Sequence, residues 1–244
     1  MNILDIEKPI WFMRQAGRDL PEYRKIRSKK KNFLDFCFDK KSIVEATLQP
    51  VRRYKIDCAI IFCDILMVPY ILGQKISFVK GEGPLLEKLP LEELISLELS
   101  FQKEKDLKST YNAVKEVRKK LNENKSLIGF CGGPWTVACY MINGKGDSKF
   151  KVAIEKIIKE KVLLVKLLDK IVDLSVTHLY QQYISGCDTL MIFESWAGLV
   201  PKNEFKDILT DPMNKIIKKL KTLGVLAPII VLPRGINKKI IDYI

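Results

Sequence analysis

The sequence predicts an α/β fold built around a parallel β-sheet. Two observations lead to this prediction: short apolar runs alternate with long amphipathic stretches, and the run at residues 58–63 is continuously apolar, as a strand buried on both faces is. The apolar runs cover residues 9–13, 58–63, 127–131, 189–193 and 229–232. Each ends in a polar or glycine-rich loop, and parallel α/β folds bind their ligands at the carboxyl ends of the strands.

The first long helix is predicted over residues 42–55. It opens with Ser42 and Glu45, which stand at the spacing of a capping box. Pro50 lacks an amide hydrogen, so we expect it to kink or break this helix.

The remaining elements follow from turn residues and amphipathic stretches. They are a hairpin around residues 76–79 with turn glycines Gly81 and Gly83, and helices over residues 103–122, 149–168 and 170–185. Gly186 is predicted to stop the third of these helices. A last helix is expected to have Asp211 as its N-cap and Pro212 at its first position, and to end at Gly224.

The pattern contains five strand–helix units, and we expect residues 1–244 to form one domain. A closed barrel of this type has eight units. Either the sheet is open, or the chain holds five of the eight units of a barrel.

Composition predicts a folded protein of the cytoplasm. Hydrophobic residues make up 47% of the chain and charged residues 29%, which allows a sizeable core. The start of the chain lacks the features of a secretory signal, and no apolar run nears the ~18 residues of a membrane span, so no membrane partner is expected. The six cysteines form no C-x-x-C pair, and we interpret them as reduced core thiols.

The net charge of +13 favours anionic partners. It indicates either a polyanionic substrate or a lysine-rich composition spread over solvated helix faces. The basic runs at residues 29–31 and 218–219 lack interleaved aromatic residues, so no nucleic-acid partner is predicted.

Two arginines four positions apart, Arg14 and Arg18, follow the first apolar run. A guanidinium group grips a carboxylate with two parallel hydrogen bonds, and on a helix this spacing would aim both groups at one region. The alternative is that both are surface residues paired with Glu22 or Asp19.

Asp64 lies between two apolar stretches, directly after the second predicted strand. A carboxylate in so apolar a setting is costly unless it is paired or used. Its position therefore indicates a functional residue. The alternative is a carboxylate that caps the next helix.

Weaker candidates follow the later runs. Tyr140 is either a ligand contact or a half-buried core aromatic, Ser195 either a ligand contact or a helix cap, and Glu194 a candidate for an ion pair with a lysine. His178, the single histidine, lies in the middle of a predicted helix and is interpreted as a surface or core residue. No spacing matches a metal site or a nucleotide-binding motif, so neither is predicted.

Six segments together resemble the uroporphyrinogen decarboxylase family. They are WFMRQAGR (11–18), LPEYR (20–24), ATLQPVRRY (46–54), IFCDIL (61–66), GFCGGPWT (129–136) and FESWAG (193–198). The similarity runs in order from residue 9 to about residue 235. It is most specific in the arginine segment and in the segment around Asp64.

The resemblance implies a (β/α)8 TIM barrel that works as a homodimer in heme biosynthesis, with no cofactor and no metal. Such an enzyme, a carboxy-lyase, removes four acetate carboxyl groups from uroporphyrinogen III to give coproporphyrinogen III. The implied catalytic residues are Asp64, Arg14 and Arg18. The implied substrate-binding residues are these three with Gln15, Ala16, Gly17, Tyr140 and Ser195.

The chain departs from the family pattern at three points. Asp19 replaces an aromatic residue, and Cys63 replaces a small hydroxyl residue. The family also continues for three more units, one of them with a substrate-contacting histidine, so we expect a C-terminally truncated member. The alternative to an active decarboxylase is an inactive remnant or one part of a split enzyme. A corrinoid-related methyltransferase would need zinc ligands, and the sequence shows no such set.

Overall fold

A computed structural model describes residues 3–13, 15–79 and 82–236. The strands in these ranges are β1 (Cys58–Ile60), β2 (Ile76–Val79), β3 (Gly83–Leu86), β4 (Ser126–Gly132), β5 (Thr189–Glu194) and β6 (Ile229–Pro233). Four of them form a parallel sheet in the order β1-β4-β5-β6, and β2 pairs antiparallel with β3. The parallel sheet and the hairpin are therefore confirmed.

Ten α-helices surround the sheet in the described part of the chain. They are α1 (Pro21–Arg27), α2 (Phe33–Cys37), α3 (Lys40–Arg53), α4 (Met67–Ile71), α5 (Leu91–Ser96), α6 (Phe101–Lys120), α7 (Pro134–Asn143), α8 (Lys151–Lys159), α9 (Lys161–Ile184) and α10 (Asp211–Thr222). None of the helices in these ranges has both the length and the apolarity to cross a bilayer.

The core lies on both sides of the central strands. Every residue of β4 and β5 is buried, whereas β6, at the edge of the described sheet, is half-buried along its length. Helix α9 packs against β4, α5, α7 and α10. The cysteines lie in or beside this core as free thiols, as predicted: five are buried, and Cys63 is half-buried.

The first predicted strand, residues 9–13, is wrong. These residues do not form a strand: the backbone of Ile10 accepts a hydrogen bond from Asp57 N (2.8 Å), directly before β1, and donates one to the Asp57 carboxylate (2.8 Å). The next contact with β1 comes from a side chain, the amide of Gln15. Strand β1 itself ends at Ile60, because the Phe62 amide turns away to the hydroxyl of Thr47 in α3 (2.9 Å).

The predicted capping box of α3 is also wrong. Asp39 caps the helix, since its carboxylate accepts from Ser42 N (2.9 Å) and Ser42 Oγ (2.6 Å). Glu45 instead pairs with Arg52 (3.0 Å). The helix runs through Pro50 to Arg53 without a break and lacks only the one internal hydrogen bond that the proline nitrogen cannot donate.

Two other helix boundaries differ from the prediction. The break between α8 and α9 lies at Glu160, whose backbone leaves the helical region (φ −138°), and not near residue 169. Helix α10 continues from a π-helical turn, Lys206–Thr210, so Asp211 caps nothing and pairs with Lys206 (2.8 Å). The predicted glycine ends are confirmed: Gly224 has φ +81°, and Gly186 follows α9 with φ +116°.

One arginine fastens α6 to the sheet. Arg118 donates to the Asp188 carboxylate (2.6 Å) and to three carbonyl groups between α6 and β4, those of Leu121, Asn122 and Lys125. The same carboxylate accepts from Leu127 N (2.8 Å) at the start of β4. Arg118 and Asp188 therefore fix the starts of β4 and β5 relative to each other.

Replacing Arg118 by alanine should therefore destabilise the fold by about 3–5 kcal/mol, because it takes the ion-pair partner from a partly buried carboxylate, which keeps only neutral donors such as the Leu127 amide, and removes a donor from three carbonyl groups. Urea unfolding measures the change. The control is Lys120→Ala, which removes an exposed pair with Glu116 and should cost about 0–1 kcal/mol. Equal losses in the two variants would show that the Arg118 cluster contributes no more than a surface ion pair.

Candidate active site

A cavity of about 600 Å³ lies beyond the carboxyl end of β1. The loop before α1, the α1–α2 connection, the loop after β1 and the β2–β3 hairpin form its walls. Its lining residues are Arg18, Arg27, Lys31, Asn32, Phe33, Asp64, Phe78, Val79 and Gly83. The volume is of the size that holds a small organic molecule.

Asp64 is the one carboxylate among the described residues that line this cavity. One oxygen, Oδ1, accepts the amide of Leu66 (2.8 Å), the N-cap residue of α4. No side chain caps this helix, so the alternative that Asp64 caps it is wrong. No cation in the described ranges forms an ion pair with it. Burial raises the pKa of Asp64 to about 6, and the Leu66 amide offsets only part of that increase. The carboxylate is thus costly and largely uncompensated.

Arg18 lies at the rim of the same cavity and is exposed. The alternative that it pairs with Glu22 is wrong, because Glu22 binds Arg53 (3.2 Å). Arg24 holds the backbone here by donating to the carbonyl groups of Arg18 (2.6 Å) and Asp19 (3.2 Å). Arg14, the other predicted arginine, lies outside the described residues.

Two cations that sequence reasoning missed also line the cavity. Arg27, at the end of α1, lies over the rings of Phe33 and Phe36 at 5.8 and 5.9 Å and donates to the Lys30 carbonyl. Lys31 is exposed at the entrance. The sequence shows only a basic run there, and nothing in that run indicates which of its members faces the cavity.

The three residues between the arginines stabilise the local backbone. Gln15 is buried, and its amide donates to Cys58 O (2.7 Å) and accepts from Ile60 N (3.0 Å), so it occupies the free edge of β1 as a neighbouring strand would. Ala16 lines a smaller cavity of about 130 Å³ with Gln15. Gly17 closes a turn by accepting from Leu20 N (3.1 Å).

Tyr140 and Ser195 lie after the next two strands of the sheet. Tyr140 is on α7, and its pKa is raised by burial and, to a smaller extent, by the charge of Asp64. Its ring meets Phe150 edge-on at 5.4 Å. Ser195 directly follows β5 and is half-buried. Neither lines the 600 Å³ cavity, whereas Asp64 and Arg18 do.

Within the described ranges Glu194 pairs with no lysine, contrary to the prediction. It is the last residue of β5 and is 1% exposed, and its carboxylate accepts from Trp135 N (3.2 Å), Thr136 N (2.6 Å) and the Thr136 hydroxyl at the start of α7. Burial raises the pKa of Glu194 to about 7 against the effect of these donors.

His178 is a core residue of α9. Its Nδ1 lies 3.0 Å from the Tyr111 hydroxyl, and its Nε2 has no hydrogen-bond partner among the described residues. Burial lowers the pKa of this imidazole to about 4, so it is neutral at pH 7. The interpretation as a core histidine is confirmed, although only one of its nitrogens is satisfied. Within the described ranges, no three acidic, histidine or cysteine side chains come together as metal ligands would.

Comparison with known proteins supports the family resemblance of the sequence independently of the cavity's geometry. The sequence profile of the family described as uroporphyrinogen decarboxylase (URO-D) matches residues 7–244. The uroporphyrinogen decarboxylases of Rickettsia conorii and Rickettsia bellii are each 44% identical to the chain, over 227 and 232 residues. These alignments cover 93% and 95% of the chain, and 65% and 68% of the relatives. The chain thus spans about two thirds of the length of the relatives it matches.

Among solved structures, a methyltransferase from Methanosarcina mazei superposes with a TM-score of 0.71 at 16% sequence identity. The match covers 93% of this chain and 65% of that one. At such an identity it bears on the fold alone. With the family profile, it confirms the predicted fold class, α/β of the TIM-barrel type.

Proposed function

The chain belongs to the uroporphyrinogen decarboxylase family, and we propose that its cavity serves the reaction of that family. In this reaction four acetate side chains of uroporphyrinogen III become methyl groups, giving coproporphyrinogen III in heme biosynthesis. The observation that carries the proposal is Asp64, a half-buried carboxylate without an ion-pair partner in the described ranges, in a cavity whose other charged lining residues in those ranges are the cations Arg18, Arg27 and Lys31.

The charges of the cavity suit the substrate. Uroporphyrinogen carries eight carboxylates around a ring of four pyrroles, whose N–H groups point to a common centre. Arg18, Arg27 and Lys31 provide donors for the outer carboxylates. Asp64, with one oxygen free of described donors, provides an acceptor for the central N–H groups.

The proposed chemistry needs no cofactor, because the pyrrole itself accepts the electrons. Protonation of a ring carbon gives a cationic ring, which Asp64 stabilises electrostatically. The bond from the methylene to the carboxylate then breaks, and its electron pair moves into the ring as carbon dioxide leaves. A proton adds to the exocyclic methylene, and the ring loses the first proton. Each cycle therefore consumes one proton and yields one methyl group and one carbon dioxide.

The remaining assignments are proposals of the same kind. Arg14 and Arg18 bind substrate carboxylates and are catalytic residues with Asp64. The segment Gln15 to Gly17 lines the substrate site, with Gln15 acting through the backbone of β1. Tyr140 and Ser195 contact the substrate from the next two strands. By its family, the protein works as a cytoplasmic homodimer.

The direct test is an assay of the full-length protein for coproporphyrinogen formed from uroporphyrinogen under reducing conditions. We expect stepwise appearance of products with seven, six, five and four carboxyl groups, with no added metal or cofactor. A folded protein that forms none of these products contradicts the proposal.

A charge reversal at the entrance tests the assignment of this cavity. Lys31→Glu should raise KM about tenfold with little change in kcat, since losing one charge-assisted contact costs about 1.5–3 kcal/mol and affects the ground state and transition state equally. The matched control is Lys29→Glu, two positions away, exposed and outside the cavity lining. The same KM increase in both variants would indicate that only the net charge of the protein matters.

A further inference from the structure

The loops that follow β4 and β5 are joined by a buried set of hydrogen bonds among Trp135, Thr136, Glu194 and Trp196, here called the clasp. Glu194 ends β5 and accepts three hydrogen bonds from Trp135 and Thr136, the second and third residues of α7. The Thr136 oxygen in turn accepts the amide of Trp196 (3.2 Å). The indole of Trp135 donates to the Trp196 carbonyl (3.1 Å), so the two segments are joined in both directions.

The two segments can approach each other this closely because residue 133 is a glycine. A Cβ at Gly133 would lie 2.3 Å from Glu194 Oε2 and 2.6 Å from its Cδ, closer than real contacts occur. The Gly133 amide also donates to Phe193 O (2.9 Å), directly before Glu194. Glycine at this position therefore lets the carboxylate reach the amides at the start of α7.

The clasp borders the side chains assigned to the substrate. Ser195 lies between Glu194 and Trp196, both of which are fixed by the clasp. Tyr140 lies on α7 one turn after Thr136. The ring of Phe150 bridges the two loops, 5.4 Å from the ring of Tyr140 and 4.9 Å from that of Trp196. A shift of either loop would thus move both assigned residues.

Burial of the Glu194 charge calls for an explanation, because no cation in the described ranges pairs with it. Burial and, to a smaller extent, the charge of Glu194 raise the pKa values of the thiols of Cys131 on β4 and Cys139 on α7. An apolar residue would avoid the desolvation cost. The carboxylate provides instead a fixed geometry: it accepts from two successive amides and one hydroxyl at a helix start, where a negative charge is favoured.

We propose that Glu194 and Thr136 are positioning residues that hold Tyr140 and Ser195 at the substrate. The inference rests on the proposed decarboxylase function. Glu194 is 1% exposed and acts on the reaction only through its neighbours.

The test compares Thr136→Val with Thr136→Ser. Valine keeps the shape but removes the hydroxyl, leaving the Trp196 amide without its acceptor, whereas serine keeps the hydroxyl. We expect kcat to fall about 10–100-fold in the valine variant with KM changed less than about threefold, because displaced catalytic geometry acts mainly on turnover. Serine should restore kcat to within about threefold of the original protein.

A core variant separates positioning from simple loss of stability. Ile216→Val, in the core of α10, lowers the unfolding midpoint without touching the clasp. All variants are assayed well below their midpoints. If Thr136→Val keeps the kcat of Ile216→Val, the inference is overturned while the proposed function stands.

The clasp also has a readout that does not depend on turnover. Amide hydrogen exchange of residues 134–141 and 195–199 should be at least about tenfold faster in Thr136→Val than in Thr136→Ser. Unchanged amide hydrogen exchange in Thr136→Val would show that the clasp does not hold the two segments in place, even if the original protein proves inactive. Absence of turnover in the original protein, with faster exchange in Thr136→Val, contradicts the proposed function and leaves the clasp supported.

Discussion

Replacing Asp64 by asparagine should lower kcat for coproporphyrinogen formation by about 10²–10³-fold, the loss typical of removing one group that stabilises transition-state charge. The substitution is nearly isosteric. Its amide oxygen still accepts the Leu66 amide, so the loop between β1 and α4 keeps its hydrogen bond. What disappears is the negative charge of Asp64, the one acidic side chain among the described residues that line the cavity.

The effect is expected to be large because the Asp64 carboxylate is half-buried and desolvated by its surroundings. A carboxylate stabilises a developing cation more strongly in a site of low dielectric than in water. The raised pKa of Asp64 indicates that the ion is poorly compensated in the folded protein. A cationic pyrrole ring would supply that compensation, so the interaction is strongest when the ring is protonated.

The control for Asp64→Asn is Asp19→Asn. Asp19 is exposed, lies beside Arg18 and is not part of the cavity lining. This variant should keep kcat within about twofold, since surface charges contribute little. If Asp64→Asn keeps more than a tenth of the original kcat, Asp64 is not the group that stabilises the cation.

The prediction from sequence succeeded where an element is determined by its own residues. The runs that became β4 and β5 are buried along their whole length, and their hydrophobicity alone identifies them. Asp64 was found because a carboxylate inside an apolar run is conspicuous without any knowledge of its neighbours.

The prediction failed where distant residues decide. Residues 9–13 are as apolar as a strand, but the amide of Gln15, and not a neighbouring backbone, bonds to β1. Arg27 and Lys31 face the cavity because the α1–α2 connection lies opposite the hairpin. The sequence suggests a lysine as the partner of Glu194, whereas the partners in the structure are the amides of Trp135 and Thr136, about 60 residues earlier. No local pattern in the sequence indicates such a distant contact.

The pH dependence of activity is the second large expected effect. The pKa of Asp64 is raised by burial from 3.8 to about 6, and only the ionised form stabilises the ring cation. We therefore expect kcat/KM to rise nearly tenfold per pH unit below pH 6 and then to level off, a change of about 50-fold between pH 4 and pH 6 and about 100-fold between pH 4 and the plateau. With an ordinary aspartate pKa, activity would already be nearly level above pH 4 to 5.

Stability should change in the opposite direction over the same range. The folded protein keeps the Asp64 proton up to about pH 6, whereas the unfolded chain releases it near 3.8. The contribution of this group to stability is therefore full below pH 3.8 and is lost as the pH rises to 6. The free energy of unfolding of the original protein, relative to that of Asp64→Asn, should fall across this window.

Two variants assign the kinetic change to Asp64. The residual activity of Asp64→Asn should lack the rise that ends near pH 6, although ionisation of the substrate carboxyl groups affects both proteins alike. Glu194→Gln removes the other buried carboxyl group, whose pKa is raised to about 7, and should keep the rise. The opposite result would be a rise of kcat/KM with pH that vanishes in Glu194→Gln and persists in Asp64→Asn. The group that must be ionised for turnover would then be Glu194 in the clasp, and not Asp64 in the cavity.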